Sequence, residues 1–529
     1  MNKKVFLSII ASLFFAMSIQ AQDASFYKKY AEKGDAEAMY NLGQCYLHGN
    51  GGVSENYGEA TMWFAKAIKK KYTPAMVSMA YCYINGTGVL KDYVKAYELC
   101  TKAMEKKDGA AHYLMALMYK DGYYVQKDVY KYWGFLNSSA NLGDASAQSD
   151  LGYYYLYGLE DAKVMQDFSK AIDYLQKADA QSNAQAKRLL GICYYYGSGV
   201  TEDKAKAVAY YKAAADLGDG AAQCLIGEAY MKGDGVEQDF KTAITYVNAA
   251  VSQDIPRAVF LLGERYYYGL GVEVDNETAA NCYEKAIEGG CYDANSQLAS
   301  MYLNGLGVAI NASKALQLYK QGADYGIVDC LYGLGLCYEN AFGTSKDVSK
   351  AVEYYKKAAE QKNTASLYKM YFYYRDGEAG VISKDRTKAV AYLREAAEMG
   401  YNPAIYSLGY EYYAGELITK DIAKAKDNIQ KAADNGYLFA CAIIGTCYYS
   451  GEAPFAKDYG RAFKYLSKVA TSNASLDDEL LAEVYKDLGA CYRFGRGVEK
   501  DQSLASYYTE QAAKFGDSNS VKAVKMLRK

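Results

Sequence analysis

The sequence has little proline, little histidine and almost no net charge. Its 529 residues include four prolines and two histidines, and 60 Lys+Arg stand against 62 Asp+Glu, for a formal net charge of -2. The balanced charge argues against nucleic acid as a partner, because a nucleic-acid-binding surface needs an excess of positive charge. With His48 and His112 as its only histidines and no Cys-x-x-Cys pair, the sequence predicts neither a metal site nor a cofactor.

The apolar run at the N-terminus is too short to span a membrane. Two lysines precede it, it extends from Val5 to Met17, and small residues follow up to Ala21, an order typical of a secretory signal peptide. A membrane span needs roughly 20 apolar residues. We therefore predict a signal peptide over residues 1–21 and an exported, soluble chain over residues 22–529 that does not insert into the membrane and is either periplasmic or extracellular. A buried N-terminal helix is the alternative.

A glycine recurs along nearly the whole chain, mostly at intervals of 36 residues. It occupies the positions Gly49, Gly86, Gly122, Gly158, Gly197, Gly233, Gly269, Gly305, Gly377, Gly415, Gly451 and Gly495. Ala341 holds the expected position between Gly305 and Gly377, so the chain has thirteen units. A single hydrophobic core stops growing at roughly 250 to 300 residues. The fixed period therefore favours an array of repeats over a set of separate domains.

Each unit carries signals for two helices joined by a turn. In one example, Leu190-Gly191 and Tyr194 lie on one face of a first helix, and a Gly-x-Gly-Val turn follows at Gly197. Asp203 comes next and is predicted to cap a second helix, because its carboxylate can accept the unpaired backbone N–H groups there. Glycine within a helix costs about 1 kcal/mol relative to alanine, so the recurring Leu-Gly predicts close contact with a neighbouring helix.

Neither helix pair can bury its apolar face alone, so successive pairs must stack. The sequence thus predicts an all-α solenoid of about thirteen helix-turn-helix repeats of about 36 residues, which we expect to form a right-handed α/α superhelix. The repeats extend over residues 34–516, and residues 517–529 are predicted to cap the C-terminal end.

The combined signature resembles the Sel-1-like repeat family, which is related to the tetratricopeptide repeats. The motifs that carry the resemblance are Leu-Gly-x-x-Tyr, Gly-x-Gly-Val, the capping Asp and Tyr-Tyr-x-x-Ala-Ala, repeated from about Gly34 to Gly516. The resemblance implies a non-catalytic scaffold or adaptor that binds a protein or peptide partner in the concave groove of the array.

The resemblance also implies which positions face that groove. In tetratricopeptide-like stacks these are the first-helix positions two before and two, five and six after the repeat leucine. Here they carry few charges, mainly Arg188, Glu228, Glu264 and Arg375, and many aromatic rings. The aromatic residues so selected are Tyr81, Tyr113, Tyr153, Tyr157, Tyr195, Tyr196, Phe260, Tyr267, Tyr268, Tyr332, Phe372, Tyr410 and Tyr413, together with Tyr40, Tyr368, Tyr406 and Tyr449.

Three interpretations of these rings stay open. Tyrosine offers a large contact area and a hydroxyl group, which suits a peptide and equally a glycan such as a cell-wall fragment. The rings could instead pack neighbouring repeats against each other, as aromatic residues at helical spacing usually do. If they bind a ligand, replacing Tyr195 and Tyr267 with alanine should abolish binding and leave the melting temperature nearly unchanged.

The cysteines and one serine suggest chemistry that the sequence supports only weakly. Six of the twelve cysteines share one position, three residues after the repeat leucine, which indicates small buried packing residues. Some exported members of the family carry a disulfide between successive repeats, and Cys282 with Cys291 is the pair here that comes nearest to their spacing. Ser366 and Lys369 match the Ser-x-x-Lys of penicillin-binding enzymes but lack the Lys-Thr-Gly partner. An enzyme is therefore the third interpretation, after a protein scaffold and a glycan-binding protein.

Overall fold

The computed structural model describes residues 23–472, 476–518 and 520. Over this part of the chain the structure consists of 27 α-helices, a short 3-10 helix at Glu160–Ala162 and two isolated β-bridges, without any strand. The predicted all-α fold is confirmed. The predicted signal peptide lies outside the described residues, as does most of the predicted capping segment 517–529.

The chain divides into two compact units, Met1–Cys291 and Tyr292–Lys529. Helix α1 (Ala24–Ala31) begins the described part of the first unit, and seven pairs of helices follow it. The first and second helices of these pairs alternate as α2 (Ala36–His48), α3 (Tyr57–Lys69), α4 (Thr73–Asn85), α5 (Tyr93–Met104), α6 (Gly109–Asp121), α7 (Val129–Asn141), α8 (Ala145–Tyr157), α9 (Phe168–Asp179), α10 (Ala184–Tyr196), α11 (Lys204–Asp216), α12 (Gly220–Lys232), α13 (Phe240–Val251), α14 (Pro256–Tyr268) and α15 (Asn276–Glu288).

The second unit contains six further pairs in its described part. They are α16 (Ala294–Asn304), α17 (Ala312–Asp324), α18 (Val328–Asn340), α19 (Val348–Glu360), α20 (Thr364–Asp376), α21 (Arg386–Glu398), α22 (Asn402–Ala414), α23 (Ile422–Asp434), α24 (Leu438–Ser450), α25 (Tyr459–Ala470), α26 (Asp478–Phe494) and α27 (Gln502–Lys514). The thirteen pairs correspond to the thirteen units expected from the recurring glycine, so the chain is an all-α solenoid.

Turn chemistry separates the two helices of each pair. The first helix ends at a residue with positive φ, which is 70° at Gly197 and 62° at Ala341, where the glycine is missing. The second helix begins at a side-chain cap, as where Asp203 accepts the backbone N–H of Lys206 at 2.9 Å. The predicted Asp and Asn caps of the second helices are confirmed along the chain, and Asn56 and Asp501 mark the first and the last of them.

The glycine of the Leu-Gly motif lies where the two helices of a pair make their closest contact. A Cβ added to Gly191 would lie 2.6 Å from Cδ1 of Tyr211 in α11, and one added to Gly335 would lie 2.4 Å from Cε1 of Tyr355 in α19. Neither distance leaves room for a methyl group. The packing reason predicted for these helix glycines is therefore confirmed.

Hydrogen bonds from tyrosine to carboxylate connect consecutive repeats. Tyr113 of α6 donates to Asp150 of α8 at 2.9 Å, and Tyr371 of α20 donates to Glu411 of α22 at 2.6 Å. A buried phenol needs a partner for its hydroxyl group, and a carboxylate of the next repeat provides one. The high tyrosine content therefore serves contacts between repeats as well as the surface.

Candidate binding surfaces on the first helices

The predicted groove residues differ widely in exposure. Tyr81, Tyr113 and Phe260 are 6%, 1% and 3% exposed, so their rings pack in the core. Five are exposed, and they are Tyr153, Tyr157, Tyr196, Tyr268 and Tyr410. The remaining rings are half-buried, and they are Tyr40, Tyr195, Tyr267, Tyr332, Tyr368, Phe372, Tyr406, Tyr413 and Tyr449.

Four tyrosines of α8 and α10, of which three are exposed and Tyr195 is half-buried, form a cluster in the first unit, here called the tyrosine patch. The ring centroids of Tyr153 and Tyr157 lie 4.8 Å apart, as do those of Tyr195 and Tyr196. Burial is the main reason why the pKa of Tyr157 is raised, and nearby groups that include Tyr153 and Tyr196 add to the effect. Because Tyr196 belongs to the other ring pair, the two pairs lie near each other. Tyr196 is 70% exposed, so its ring faces solvent on this patch.

One member of the patch also ties two repeats together. The hydroxyl of Tyr195 donates to Asp234, whose other carboxylate oxygen lies 2.8 Å from Nζ of Lys204. The hydrogen bond to this carboxylate raises the pKa of Tyr195 to about 12. Because Tyr195 contributes to packing, Tyr157 and Tyr196 are better positions at which to test ligand binding.

Three of the four charged groups predicted to lie in the groove, Arg188, Glu228 and Arg375, are engaged in ion pairs. Nε of Arg188 lies 3.1 Å from the carboxylate of Asp219. The carboxylate of Glu228 lies 2.7 Å from Nζ of Lys232. Arg375 pairs with its neighbour Asp376 at 2.7 Å. These pairs leave little unbalanced charge beside the tyrosine rings.

The second unit contains an open pocket of about 650 Å³, here called the aromatic pocket. It lies at the N-terminal ends of α22 and α24, and its wall contains no charged side chain among the described residues. The lining residues are Gly400, Tyr401, Asn402, Pro403, Gly436, Tyr437, Leu438, Phe439 and Leu476. Leu476 belongs to the extended connection that precedes α26.

Further tyrosines of the first helices hold the rings of this pocket in place. The ring centroid of Tyr406 lies 5.2 Å from that of Phe439 and 6.2 Å from that of Tyr437. Tyr368 contacts Tyr401 at 5.6 Å between centroids, and its hydroxyl lies 2.7 Å from Oγ of Ser407. The predicted residues Tyr368 and Tyr406 therefore pack against the rings that line the pocket.

Two of the residues that line the pocket stand at helix N-cap positions, where Asp or Asn would cap the helix. Tyr401 and Tyr437 occupy the N-cap positions of α22 and α24 and make no capping hydrogen bond. The first helix α20 shows the usual arrangement, with Asn363 accepting the N–H of Ser366 at 2.8 Å. Losing such a cap costs about 0.5 to 2 kcal/mol. Sequence reasoning missed both tyrosines, although the replacement of Asp or Asn after Gly400 and Gly436 is visible in the sequence.

A family model describes the repeat that underlies these surfaces. The model for the Sel1 repeat matches residues 36–72, 73–108, 109–144, 145–182, 184–219, 220–254, 256–291, 293–326, 328–363, 366–401, 402–437, 438–473 and 482–517. The chain belongs to the Sel1 repeat family. The thirteen matches confirm the predicted number of units and the resemblance. The helical-repeat architecture of the family is a scaffold for contacts with other proteins.

Solved structures of other Sel1 repeat proteins resemble this chain. A protective antigen present in uropathogenic Escherichia coli strains is 25% identical, with 96% of this chain and 93% of that chain covered and a TM-score of 0.41. A Sel1 repeat protein from Oxalobacter formigenes is 28% identical, with 47% of this chain and 96% of that chain covered and a TM-score of 0.41. No match was found among curated proteins. Within the described ranges of this Sel1 repeat chain, no helix is long and apolar enough to cross a membrane.

The residues that suggested a disulfide or a serine nucleophile have the following surroundings in the structure. Cys282 and Cys291 are both buried, at 8% and 9% exposure, and a bridge between them stays a prediction. Ser366 is fully buried, and Nζ of Lys369 lies 2.7 Å from Glu339 instead of beside the serine. The pair is therefore not arranged as a serine nucleophile with its base. Among the residues that the structure describes, no group of His, Cys, Asp and Glu side chains could hold a metal ion.

Proposed function

We propose that this Sel1 repeat chain is an exported, non-catalytic scaffold that binds peptide segments of partner proteins on its first helices. The aromatic pocket of the second unit is its principal binding site. The predicted signal peptide over residues 1–21 supports an envelope or extracellular partner. The tyrosine patch of the first unit offers a second surface for the same kind of ligand.

The missing caps at the aromatic pocket support this proposal more than any other observation. Two consecutive first helices carry tyrosine where Asp or Asn would stabilise the helix, and both tyrosines line the same pocket. First helices without a capping hydrogen bond also begin at Tyr72, Ile255 and Ile327, so the pocket is distinguished by two uncapped tyrosines that line one cavity. Recognition of a peptide by aromatic side chains around an open pocket is a common mode of binding.

The composition of the pocket favours a peptide over a glycan. A sugar exposes several hydroxyl groups, each of which needs a hydrogen-bond partner when it is buried. Asn402 is the one side-chain amide among the described residues of the wall, and its Oδ1 already accepts from Nδ2 of Asn435 at 2.8 Å. The hydroxyl groups of Tyr401 and Tyr437 are the other polar side-chain groups of these described residues. Apolar and aromatic side chains of a peptide fit this surface better.

The experiment uses the mature chain, Gln22 to Lys529, with a cap restored at the pocket. Random peptides displayed on phage are selected against the chain, and the affinity of the enriched peptides is measured by fluorescence anisotropy. We expect Tyr437→Asn to raise the melting temperature, because asparagine caps α24, and to weaken peptide binding at least tenfold. Affinity capture from the native envelope fraction, with wild type and Tyr437→Asn compared, then identifies the natural partner.

Ile327→Asn is the matched control. Ile327 is also an N-cap residue without a capping hydrogen bond, at the start of α18, and it does not line the pocket. It should gain stability in the same way and retain peptide binding. If both variants bind peptides like wild type, the pocket is not the site. If the envelope fraction yields polysaccharide and no protein, the glycan interpretation replaces the proposal.

A further inference from the structure

A buried carboxylate in the last repeat has no hydrogen-bond donor among the described residues. Asp487 of α26 is 7% exposed, and its carboxylate forms no hydrogen bond or ion pair with another described residue. A buried charge without a partner costs several kcal/mol, so such groups are rare outside functional sites. Asp487 lies directly before the repeat leucine, Leu488.

At the same repeat position in the first unit, Asp150 has hydrogen-bond donors for its carboxylate. Asp150 precedes Leu151 and accepts a hydrogen bond from the hydroxyl of Tyr113 at 2.9 Å and from Nε2 of Gln185 at 3.2 Å. Lys120 is also close enough to lower the pKa of Asp150, although burial raises it overall. The neighbouring repeats thus provide two hydrogen-bond donors and one cation.

The described residues of the repeats around Asp487 do not provide all of these groups. Ala442 stands at the position of Tyr113 in the preceding first helix α24, and Tyr449 stands at the position of Lys120. The described residues include no complete first helix after α27 that would correspond to the helix of Gln185. Among the described residues, the cation and the tyrosine donor that serve Asp150 therefore have no counterpart at Asp487.

The groups that face Asp487 do not compensate its charge. Burial is the main reason why its pKa is raised to about 7, Lys486 opposes this effect, and the carboxylates of Glu483 and Glu452 add to it. Lys486 pairs with Glu483 at 3.6 Å. From α24, Tyr449 faces the same region, and its hydroxyl accepts from Nη1 of Arg496 at 2.6 Å. Cys491 lies on the same helix, and Asp487 contributes to the raised pKa of its thiol.

We infer that Asp487 binds the guanidinium or ammonium group of a basic residue in the peptide ligand. The inference rests on the proposed function and names the second anchor of the same ligand. Phe439 in the aromatic pocket and Tyr449 beside Asp487 are both on α24. Ten residues separate them, or about 15 Å of helix. An extended peptide spans this length in about four to five residues. The ligand thus carries an aromatic or apolar residue and, about four residues away, an arginine or lysine.

This arrangement makes binding dependent on pH near neutrality. With a pKa of about 7, Asp487 is mostly neutral at pH 6 and mostly ionised at pH 8, and only the ionised form attracts a cation. We expect an arginine-containing peptide to bind about tenfold tighter at pH 8 than at pH 6. Asp487→Asn should bind it equally at both pH values.

The test selects displayed random peptides in parallel on the mature wild-type chain and on Asp487→Asn. Wild type should enrich peptides with an aromatic residue and a basic residue about four positions apart. The Asp487→Asn pool should keep the aromatic residue and lose the basic one. A selected peptide should bind wild type at least tenfold tighter than Asp487→Asn. Replacing its arginine with neutral citrulline should have the same effect on wild type and none on Asp487→Asn.

Glu510→Gln is the control variant, because Glu510 is an exposed carboxylate of α27 that is not among the groups acting on the pKa of Asp487, and it should bind like wild type. Equal pools from wild type and Asp487→Asn, with aromatic residues enriched in both, would overturn the inference and leave the proposed function intact. If neither chain enriches any peptide, both the inference and the proposed function are wrong.

Two other occupants of the carboxylate are distinguished in the same series. Residues 521–529 carry four basic residues, so the measurements are repeated with a chain that ends at Ser520. Arginine-dependent binding that tightens only in the shortened chain would assign Asp487 to the chain's own terminus. Dimerisation in sedimentation runs that is lost in Asp487→Asn would assign it to a second copy. Either result overturns the inference.

Discussion

The hydroxyl of Tyr113 lies 2.9 Å from the carboxylate of Asp150, 37 residues further along the chain and in the next repeat. Tyr113 is 1% exposed, so this hydrogen bond joins the first helices α6 and α8 inside the core of the first unit. Similar bonds occur at Tyr195 with Asp234 and at Tyr371 with Glu411. Tyrosine thus fills the space between repeats and also fixes their register.

Removing this hydroxyl should destabilise the first unit without changing its surface. Tyr113→Phe leaves the buried carboxylate of Asp150 without its main donor, at a cost of about 1 to 3 kcal/mol. Thermal and urea unfolding followed by circular dichroism measure the loss. Tyr130→Phe is the control, because Tyr130 is 63% exposed, and its stability should match wild type. Equal stability of both variants would show that the bond contributes nothing.

Glycines inside helices should respond to alanine in opposite directions according to what they contact. Gly335→Ala places a Cβ 2.4 Å from the ring of Tyr355, so we expect a loss of about 2 kcal/mol or more. Gly134 of α7 has no atom within 4 Å of an added Cβ, so Gly134→Ala should gain about 0.5 to 1 kcal/mol from helix propensity. Equilibrium unfolding checks both signs, and stabilisation by Gly335→Ala would contradict the tight contact.

Asp487 should make the protein less stable at high pH. Its pKa is raised to about 7 in the folded state, above roughly 3.9 in an unfolded chain, so the neutral form is favoured by folding. Its stabilising contribution to the free energy of unfolding is complete below pH 4 and is lost as the pH rises through 7. Asp487→Asn, which stays neutral, should therefore melt several degrees higher than wild type at pH 8 and at nearly the same temperature at pH 4. A constant difference across this range would contradict the assignment.

The buried cysteines should react slowly in the folded protein. Burial raises the pKa of Cys82 and of Cys100 to about 12, so almost no thiolate is present at pH 8. We expect iodoacetamide to label the native protein far more slowly than the protein in denaturant, as read by intact mass. Twelve labels in denaturant without reductant would exclude a bridge between Cys282 and Cys291, whereas ten and a linked peptide would establish it.

The repeat itself could be predicted from the sequence because its determinants are local. Asp203 caps a helix through a neighbouring N–H group, and Gly197 adopts a positive φ because it lacks a side chain. Both effects act over a few residues, so a short motif reveals them wherever it recurs. Thirteen recurrences then establish the all-α solenoid.

The availability of a side chain to a ligand depended on contacts between repeats. Tyr113 and Tyr157 were both predicted to face a groove, yet the first is 1% and the second 53% exposed. What decides the outcome is the residue of the adjacent repeat that lies opposite, about 36 positions away. Single-repeat reasoning did not distinguish the two environments.

By itself the sequence determined the period, the two helices of each repeat, their caps and turns, and the family. Only the tertiary structure decided that Tyr401, Tyr437 and Phe439 meet in one pocket and that Asp487 is buried without a donor among the described residues. The physical reason is that local hydrogen bonds and φ preferences are fixed within a few residues, whereas burial and charge compensation arise where side chains of successive repeats meet.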